Sequence, residues 1–388
     1  MTLLNSEIQQ FINNNLTTDV SKLALQKNPF ETVDYRIILN QIVCKQKAKN
    51  KLPSWFKAEN IIFPERINIE QTTDERVAAF KSSLFNGQSL LDASGGFGVD
   101  SYYFSKQFKE VVHCEINNDL SAIVSHNFKQ LKAENIKCFA ENSENVLKER
   151  NQKFDVIYVD PSRRNETKGK VFMLKDCEPN LPIFQDFYFS FANTILVKTA
   201  PILDVSAALE ELKNVKTIYA IALENEVKEL LWVLDKDYSA PPKVLAINID
   251  KTTTSTTSET TFETRFSEPL TYLFEPNAAI MKLNLFYALE QYKLHEHSHL
   301  FTSEELETFP GRRFKIEKTI PFSKKEIQNE LSNKKANVST RNFPLKPEEI
   351  KKKFKIKDGG TLFAFFTTNY KNEKIVVLCT KIKNNEND

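Results

Sequence analysis

Glycine is scarce in this chain of 388 residues, which contains only eight of them. Glycine is required where the backbone adopts a positive φ angle or comes very close to a ligand. Three of the eight lie within four positions, at Gly95, Gly96 and Gly98. Because a chain that uses so little glycine concentrates it here, the sequence predicts a functional turn at this point.

The chain also lacks the marks of secreted, membrane and metal proteins. It has no run of about twenty apolar residues, so no membrane span is expected. The segment from Met1 to Glu7 lacks the basic-then-apolar pattern of a signal peptide. The five cysteines are scattered and form no C-x-x-C pair, which disfavours disulfides and zinc. Three alternating histidines have no supporting Asp or Cys pattern, so we expect a surface loop at His295, His297 and His299. A reduced, cytoplasmic protein without a metal is expected.

The glycines follow a short apolar run, Ser89 to Asp92, that is typical of a buried strand ending in an acid. The dinucleotide fingerprint G-x-G-x-x-G would begin at Gly96, but Ser101 stands in the place of its third glycine. The D-x-x-x-G-x-G turn of S-adenosylmethionine (SAM) methyltransferases fits Asp92, Gly96 and Gly98. In that turn the backbone approaches the methionine part of SAM, and the aspartate reaches its ammonium group directly or through water.

Two more apolar runs end in residues that suit a nucleotide. The run from Glu110 ends in an acid, Glu115, which can accept hydrogen bonds from ribose hydroxyls. The run from Ile136 to Ala140 is followed by Asn142, which could bond the adenine amino group. Both places are expected to be strand ends, where open α/β sheets bind their ligands.

The next run, Phe154 to Val159, stops at Asp160-Pro161, with Arg163 and Arg164 just beyond. A fifth strand is expected near Thr194 to Pro201. Because parallel strands place their carboxyl ends at one edge of a sheet, we expect these turns to point into one crevice.

In this order the motifs resemble those of class I SAM-dependent methyltransferases: Asp92 to Gly98, Glu115, Asn142 and Asp160-Pro161. Residues 69–81 are similar to a segment of a bacterial group of these enzymes, in which a ferredoxin-like segment and a THUMP-like domain follow the catalytic domain. The later segments that resemble this group are 275–282, 298–303, 309–312, 339–344 and 355–360.

The resemblance implies an α/β fold: a Rossmann-like class I methyltransferase sheet with an N-terminal helical region and small α+β C-terminal domains. The expected parts are a helical region at 1–75, a SAM-dependent methyltransferase domain at 76–250, a ferredoxin-like segment at 262–318 and a THUMP-like basic domain at 319–388. The polar stretch from Thr252 to Ser258 is expected to be a linker.

The site residues follow from the resemblance. Ser94 and Asn142 replace a commoner glycine and aspartate, but both keep hydrogen-bonding capacity. Asp160 would orient the acceptor group or take its proton, and Arg163 and Arg164 would hold a phosphate or carboxylate nearby. The cofactor-binding set is Asp92, Ser94, Gly96, Gly98, Glu115, Asn142 and Asp160; the catalytic set is Asp160 and Arg163; the substrate-binding set is Arg163, Arg164 and Arg341.

Charge is unevenly distributed along the chain. Residues 311–360 hold fifteen Lys or Arg and six Asp or Glu, a net +9, whereas the whole chain carries +2. Such a basic segment suits a polyanion, and THUMP domains bind RNA. We therefore expect a methyltransferase that modifies a base in structured RNA, tRNA or rRNA.

Two other interpretations stay open. The protein could be a nucleic-acid-binding protein with a catalytically silent methyltransferase fold, which the presence of Glu115 and Asp160 disfavours. It could instead methylate a protein or a small molecule, in which case salt-dependent RNA affinity would be weak. A nicotinamide dehydrogenase is disfavoured by the missing third glycine.

Overall fold

The computed structural model describes residues 2–163, 173–250, 254–258 and 260–382. The chain divides into two compact units, one formed by Met1–Ile218 and Lys228–Pro242 and the other by Tyr219–Val227 and Lys243–Asp388. The predicted fold class, a Rossmann-like α/β sheet with an N-terminal helical region and small α+β C-terminal parts, is confirmed.

Helices dominate the first part of the chain because apolar residues recur there at helical spacing. Ile8 and Ile12 on one helix, and Ile38 and Ile42 on another, are each four residues apart and meet in one buried cluster. These helices are α1 (Ser6–Asn14), α2 (Val20–Leu23), α3 (Tyr35–Lys51), α4 (Pro53–Lys57), α5 (Arg66–Gln71) and α6 (Glu75–Ser83).

Strands and helices then alternate. The strands are β1 (Gly87–Asp92), β2 (Phe108–Cys114), β3 (Ile136–Phe139), β4 (Phe154–Val159), β5 (Ser162–Arg163), β6 (Cys177–Glu178), β7 (Ala192–Thr199), β8 (Val215–Leu223) and β9 (Glu226–Asp235). The helices are α7 (Val99–Phe104), α8 (Asn118–Gln130), α9 (Ser143–Arg150), α10 (Leu181–Phe189) and α11 (Val205–Glu211).

Within the first unit the strand order is β3-β2-β1-β4-β7-β9. The first five strands are parallel, and β9 runs antiparallel to β7. The chain proceeds outwards from β1 to β2 and β3 on one side, and then continues with β4 and β7 on the other. The order therefore switches between β1 and β4, which is where open α/β sheets place their ligands.

The second unit contains β10 (Lys243–Ile249) and β11 (Thr254–Thr257), which pair antiparallel. The expectation of a linker from Thr252 to Ser258 is therefore wrong for Thr254–Thr257, whose Thr and Ser side chains suit an edge strand. Residues 251–253 lie outside the described part.

A seven-stranded sheet follows in the order β13-β14-β12-β15-β18-β17-β16. Its elements are β12 (Tyr272–Pro276), α12 (Ala278–Leu283), β13 (Tyr292–Lys293), β14 (Phe301–Ser303), β15 (Gly311–Pro321), α13 (Lys324–Leu331), β16 (Asn337–Arg341), α14 (Pro347–Phe354), β17 (Leu362–Thr368) and β18 (Lys374–Lys381). Helices α13 and α14 bury Ile327, Leu331, Ile350 and Phe354 against this sheet. Short 3-10 helices lie at Thr2–Leu4, Leu174–Asp176 and Leu285–Ala288. Nowhere in the described ranges does a helix have the length and apolarity needed to cross a membrane.

Candidate cofactor and active site

The glycine turn joins β1 to α7 and contains two residues in the left-handed region, Gly96 at φ +56° and Gly98 at φ +78°. A Cβ atom on Gly98 would lie 2.6 Å from Cζ of Phe128, so this position is closed by packing against α8. A Cβ atom on Gly96 would have no neighbour closer than 3.8 Å. The turn therefore leaves an open face at Gly96, where a ligand can approach the backbone.

Glu115 follows β2 and is bonded directly to this turn. Its Oε2 atom accepts a hydrogen bond from the backbone N–H of Gly96 at 2.9 Å, and its Oε1 atom accepts one from Asn117 at 2.8 Å. Glu115 is half-buried, and each carboxylate oxygen keeps a second lone pair for another donor. Two features predicted separately from the sequence are thus in direct contact.

Ile116, the next residue, was not identified from the sequence. Its side chain is 73% exposed. The only signal in the sequence was its position after the strand-terminal acid. It offers an apolar surface next to Glu115.

Asp92 ends β1 and is turned towards the protein rather than towards solvent, with an exposure of 1%. Its carboxylate accepts hydrogen bonds from the backbone N–H of Ser94 at 3.1 Å and from the hydroxyl of Ser101 at 2.6 Å. Burial raises the pKa of Asp92 to about 7, although these two hydrogen bonds act in the opposite direction. Asp92 therefore fixes the turn to the first residues of α7.

Asp160 follows β4 at the point where the strand order switches. Its backbone N–H donates to the hydroxyl of Ser94 at 2.6 Å, so Ser94 connects the ends of β1 and β4. Its carboxylate pairs with Lys198 on β7, and its side chain is 36% exposed. The ion pair leaves the Asp160 carboxylate facing the same edge of the sheet as the glycine turn.

Beneath Asp160 lies a buried set of charges that sequence reasoning missed. Lys81, which is fully buried on α6, lies 2.9 Å from Oδ1 of Asp100 and 3.0 Å from Oε1 of Glu229. The hydroxyl of Tyr158 donates to Oδ2 of Asp100 at 2.8 Å, and the Nζ atom of Lys198 lies 3.8 Å from the same oxygen. Lys198 could have been identified from the sequence, because it is a lysine within an otherwise mostly apolar strand.

Burial and charged neighbours act in opposite directions on the ionisation of this cluster. Burial by itself would raise the pKa of Asp100, but Lys81 and Lys198 outweigh it and hold that pKa below its usual range. Burial likewise opposes the charge of Lys198, but Asp160, Asp100 and Glu229 raise the pKa of its ammonium above the usual value. At Glu229 burial dominates and raises the pKa. The chain of alternating charges therefore runs from the buried interior to Asp160.

The remaining predicted residues have different surroundings. Asn142 caps α9, and its side-chain oxygen accepts the backbone N–H of Asn145 at 2.8 Å. The backbone of Arg163 pairs with Cys177 in a two-stranded sheet, whereas its side chain is not described. Arg164 lies outside the described residues. Arg341 belongs to the second unit and pairs with Glu275.

Family models match three parts of the chain. "Conserved hypothetical protein 95" matches residues 71–175, a ferredoxin-like domain matches residues 272–310, and a THUMP domain-like model matches residues 311–381. A comparison with curated proteins finds no match.

One solved structure overlaps nearly the whole chain. It is a protein from Porphyromonas gingivalis W83, provisionally described as a methyltransferase, with 28% identity and a TM-score of 0.83 over 97% of this chain and 98% of its own. An rRNA methylase from Streptococcus thermophilus is 14% identical over 42% of this chain and 94% of its own, with a TM-score of 0.30. A protein from Streptococcus mutans in complex with SAH, also provisionally described as a methyltransferase, is 12% identical over 42% of this chain and 96% of its own, with a TM-score of 0.31.

The family expected from the sequence is confirmed by these matches. The ferredoxin-like and THUMP domain-like segments follow residues 71–175 in the order that the resemblance implied, and the Porphyromonas gingivalis structure overlaps 97% of the chain.

Proposed function

We propose that this chain is a SAM-dependent methyltransferase that methylates a base in structured RNA, either tRNA or rRNA. The observation that carries the proposal is the direct bond between Glu115 and the open glycine turn at Gly96, next to Asp160 at the switch in strand order. This arrangement joins a nucleoside-binding acid, a backbone approach and a polar group for an acceptor in one place.

The residues present fit SAM. The open face at Gly96 admits the methionine part, the free lone pairs of Glu115 accept the ribose hydroxyls, and exposed Ile116 provides an apolar surface for adenine. Asp92 keeps the turn in shape, and Asn142 remains the proposed partner of the adenine amino group. When bound, SAM supplies an electrophilic methyl group.

The protein's main contribution to transfer is orientation. An acceptor held in line with the methyl group reacts faster because its motion is already restricted. The carboxylate of Asp160 accepts a hydrogen bond from the acceptor group and fixes its direction. Because this carboxylate is already paired with Lys198 and its backbone with Ser94, we assign it to orientation ahead of proton removal. Arg163 and Arg164 hold a phosphate or carboxylate of the substrate nearby.

RNA is proposed as the substrate because of the second unit. Residues 311–381 match the THUMP domain-like model and contain the whole basic segment, whose net charge is +9 over residues 311–360. Arg341 lies in this segment and is proposed to contact the RNA. The same proposal includes a cytoplasmic location and the four segments expected from the sequence, at 1–75, 76–250, 262–318 and 319–388.

Calorimetric titration with SAM and S-adenosylhomocysteine tests the cofactor site. We expect micromolar binding by the wild type and at least about tenfold weaker binding by Glu115→Ala, because hydrogen bonds to a charged acceptor are lost. Glu134→Ala, which removes an exposed acid from the same unit, should bind like the wild type. Absence of binding by folded wild-type protein would contradict the enzyme proposal and leave a silent nucleic-acid-binding protein.

Transfer of a labelled methyl group to total RNA from a strain that lacks the gene tests the substrate. Labelled RNA supports the proposal. A protein that binds SAM but labels only protein or small molecules would contradict the RNA part alone.

A further inference from the structure

One buried carboxylate in the second unit holds two arginines. Glu275 on β12 is 1% exposed and lies opposite Arg312 on the antiparallel strand β15. The Nε atom of Arg312 donates to Oε2 of Glu275 at 2.6 Å, and an Nη2 atom of Arg341 donates to Oε1 at 2.5 Å. Each oxygen of the carboxylate is therefore assigned to a different arginine.

The two arginines come from distant parts of one sheet. Four strand-to-strand steps separate β12 from β16, where Arg341 is the last residue. At about 4.8 Å per step a flat sheet would put these strands about 19 Å apart, too far for an arginine to cross. The sheet therefore curves until the ends of β12 and β16 meet at Glu275, and both guanidinium groups are fixed in position.

The contact with Glu275 does not occupy all the hydrogen-bond donors of either arginine. Their side chains are 32% and 31% exposed, in contrast to the buried carboxylate between them. Arg341 also donates from Nη1 to the carbonyl of Thr340 at 2.9 Å, and its Nε–H is buried and has no acceptor among the residues that the structure describes. A guanidinium has five N–H donors, so each arginine has donors left for a ligand.

The charge of the group is unbalanced. One arginine would neutralise the buried carboxylate, and the second leaves a net +1, which matches the single charge of a phosphate diester.

We propose that Arg312 and Arg341, both held in place by Glu275, form a site for a phosphate group of the RNA substrate. Arginine suits this role because its planar fork bonds two phosphate oxygens at once, and holding the fork in advance lowers the cost of binding. The inference rests on the proposed function, because it takes RNA as the ligand. It adds a defined contact to the otherwise diffuse charge of the basic segment.

Replacing each arginine by lysine tests the geometry without changing the charge. Binding of the full chain to bulk tRNA with a 3′ fluorescein label is measured by anisotropy at about 0.15 M salt. We expect Arg312→Lys and Arg341→Lys to bind about tenfold more weakly, since a charge-assisted hydrogen bond is lost in each. Arg265→Lys, at an exposed arginine elsewhere in the same unit, should bind like the wild type. The phosphate could be the 5′ phosphate of the tRNA or a phosphate of its backbone, and phosphatase, which removes the 5′ phosphate, distinguishes them. If the lysine variants no longer bind more weakly than the wild type after this treatment, the site binds the 5′ phosphate. If they still bind more weakly, it binds the backbone.

A second measurement needs no variant. Phenylglyoxal modifies accessible arginines, and tRNA should protect Arg312 and Arg341 of the wild type but not Arg265, as read by mass spectrometry. Lysine variants that bind tRNA like the wild type, or arginines that tRNA leaves unprotected, would overturn the phosphate site while leaving the proposed function intact. Wild-type protein without affinity for tRNA or total RNA would overturn the site together with the RNA part of the proposed function.

Discussion

Lys81 supports the floor of the candidate active site, and Lys81→Met should therefore destabilise the protein strongly. The substitution keeps the volume of the side chain but removes the cation that lies 2.9 Å from Asp100 and 3.0 Å from Glu229. Removing one partner of a buried ion pair costs about 3–5 kcal/mol because the other charge stays buried. The total stability of a domain is about 5–15 kcal/mol, so the variant should remain folded with a small margin.

Urea unfolding at pH 7, followed by circular dichroism, measures this loss. The matched control is Lys129→Met, an exposed lysine on α8, which should change the free energy of unfolding by no more than about 0.5 kcal/mol. Both proteins lose one lysine and gain one methionine, so the difference between them isolates the buried contacts of Lys81.

The pH dependence provides a second, signed test. In the wild type the pKa of Asp100 lies below its usual range, so its ion pair stabilises the fold above the pKa of the unfolded chain and is lost only in strong acid. Without Lys81, burial should raise the pKa of both carboxyl groups, and protonation should relieve them as the pH falls from 7 towards 5. The stability difference between wild type and variant should narrow in that direction. A loss below about 1 kcal/mol, or a difference that widens in acid, would refute the role assigned to Lys81.

Two further predictions concern the turn. Gly98→Ala should destabilise the fold by about 2 kcal/mol or more, because its Cβ would clash with Phe128 at a residue with positive φ. Gly96→Ala should reduce stability by only about 1 kcal/mol and should mainly weaken SAM binding. Thermal melts measure the stability of both variants and calorimetry measures their SAM binding; equal stability losses would contradict the open face at Gly96. Asp92 has a pKa raised to about 7, so the native state binds more protons than the unfolded chain between about pH 4 and 7 and its stability falls as the pH rises, by at most about 1.4 kcal/mol per unit. Asp92→Asn should flatten that slope in unfolding experiments across this range, and an unchanged slope would show that Asp92 is not the group responsible.

The parallel strands of the first unit could be predicted because each contains a short, mostly apolar stretch bounded by polar turn residues. The expected run from Phe154 to Val159 coincides with β4, and the run from Ile136 differs from β3 by one residue at its end. Parallel strands buried on both faces have this simple composition. The turn at Gly96 was equally accessible, since its positive φ angle depends on local backbone geometry.

The contacts that complete the site depend on the tertiary fold and have no local signal. Lys81 meets Tyr158 across 77 positions and Glu229 across 148, so only the folded sheet brings them together. The same applies to Glu275 and Arg341, which are 66 positions apart. A sequence pattern identifies a lysine or glutamate as polar, but its burial is set by partners that the pattern does not specify.

The two buried clusters show how this protein places charge for different purposes. In the first unit Lys81 is fully buried between the carboxylates of Asp100 and Glu229. Its charge is neutralised by these ion pairs within the protein, and it holds the two carboxylates in place. In the second unit the carboxylate is the buried member, and two arginines extend from it to the surface with positive charge in excess. A buried cation with acids around it stiffens a site, whereas a buried acid with cations around it presents them to an anion. The proposed methyl-transfer site and the proposed phosphate site thus use buried charge in opposite senses.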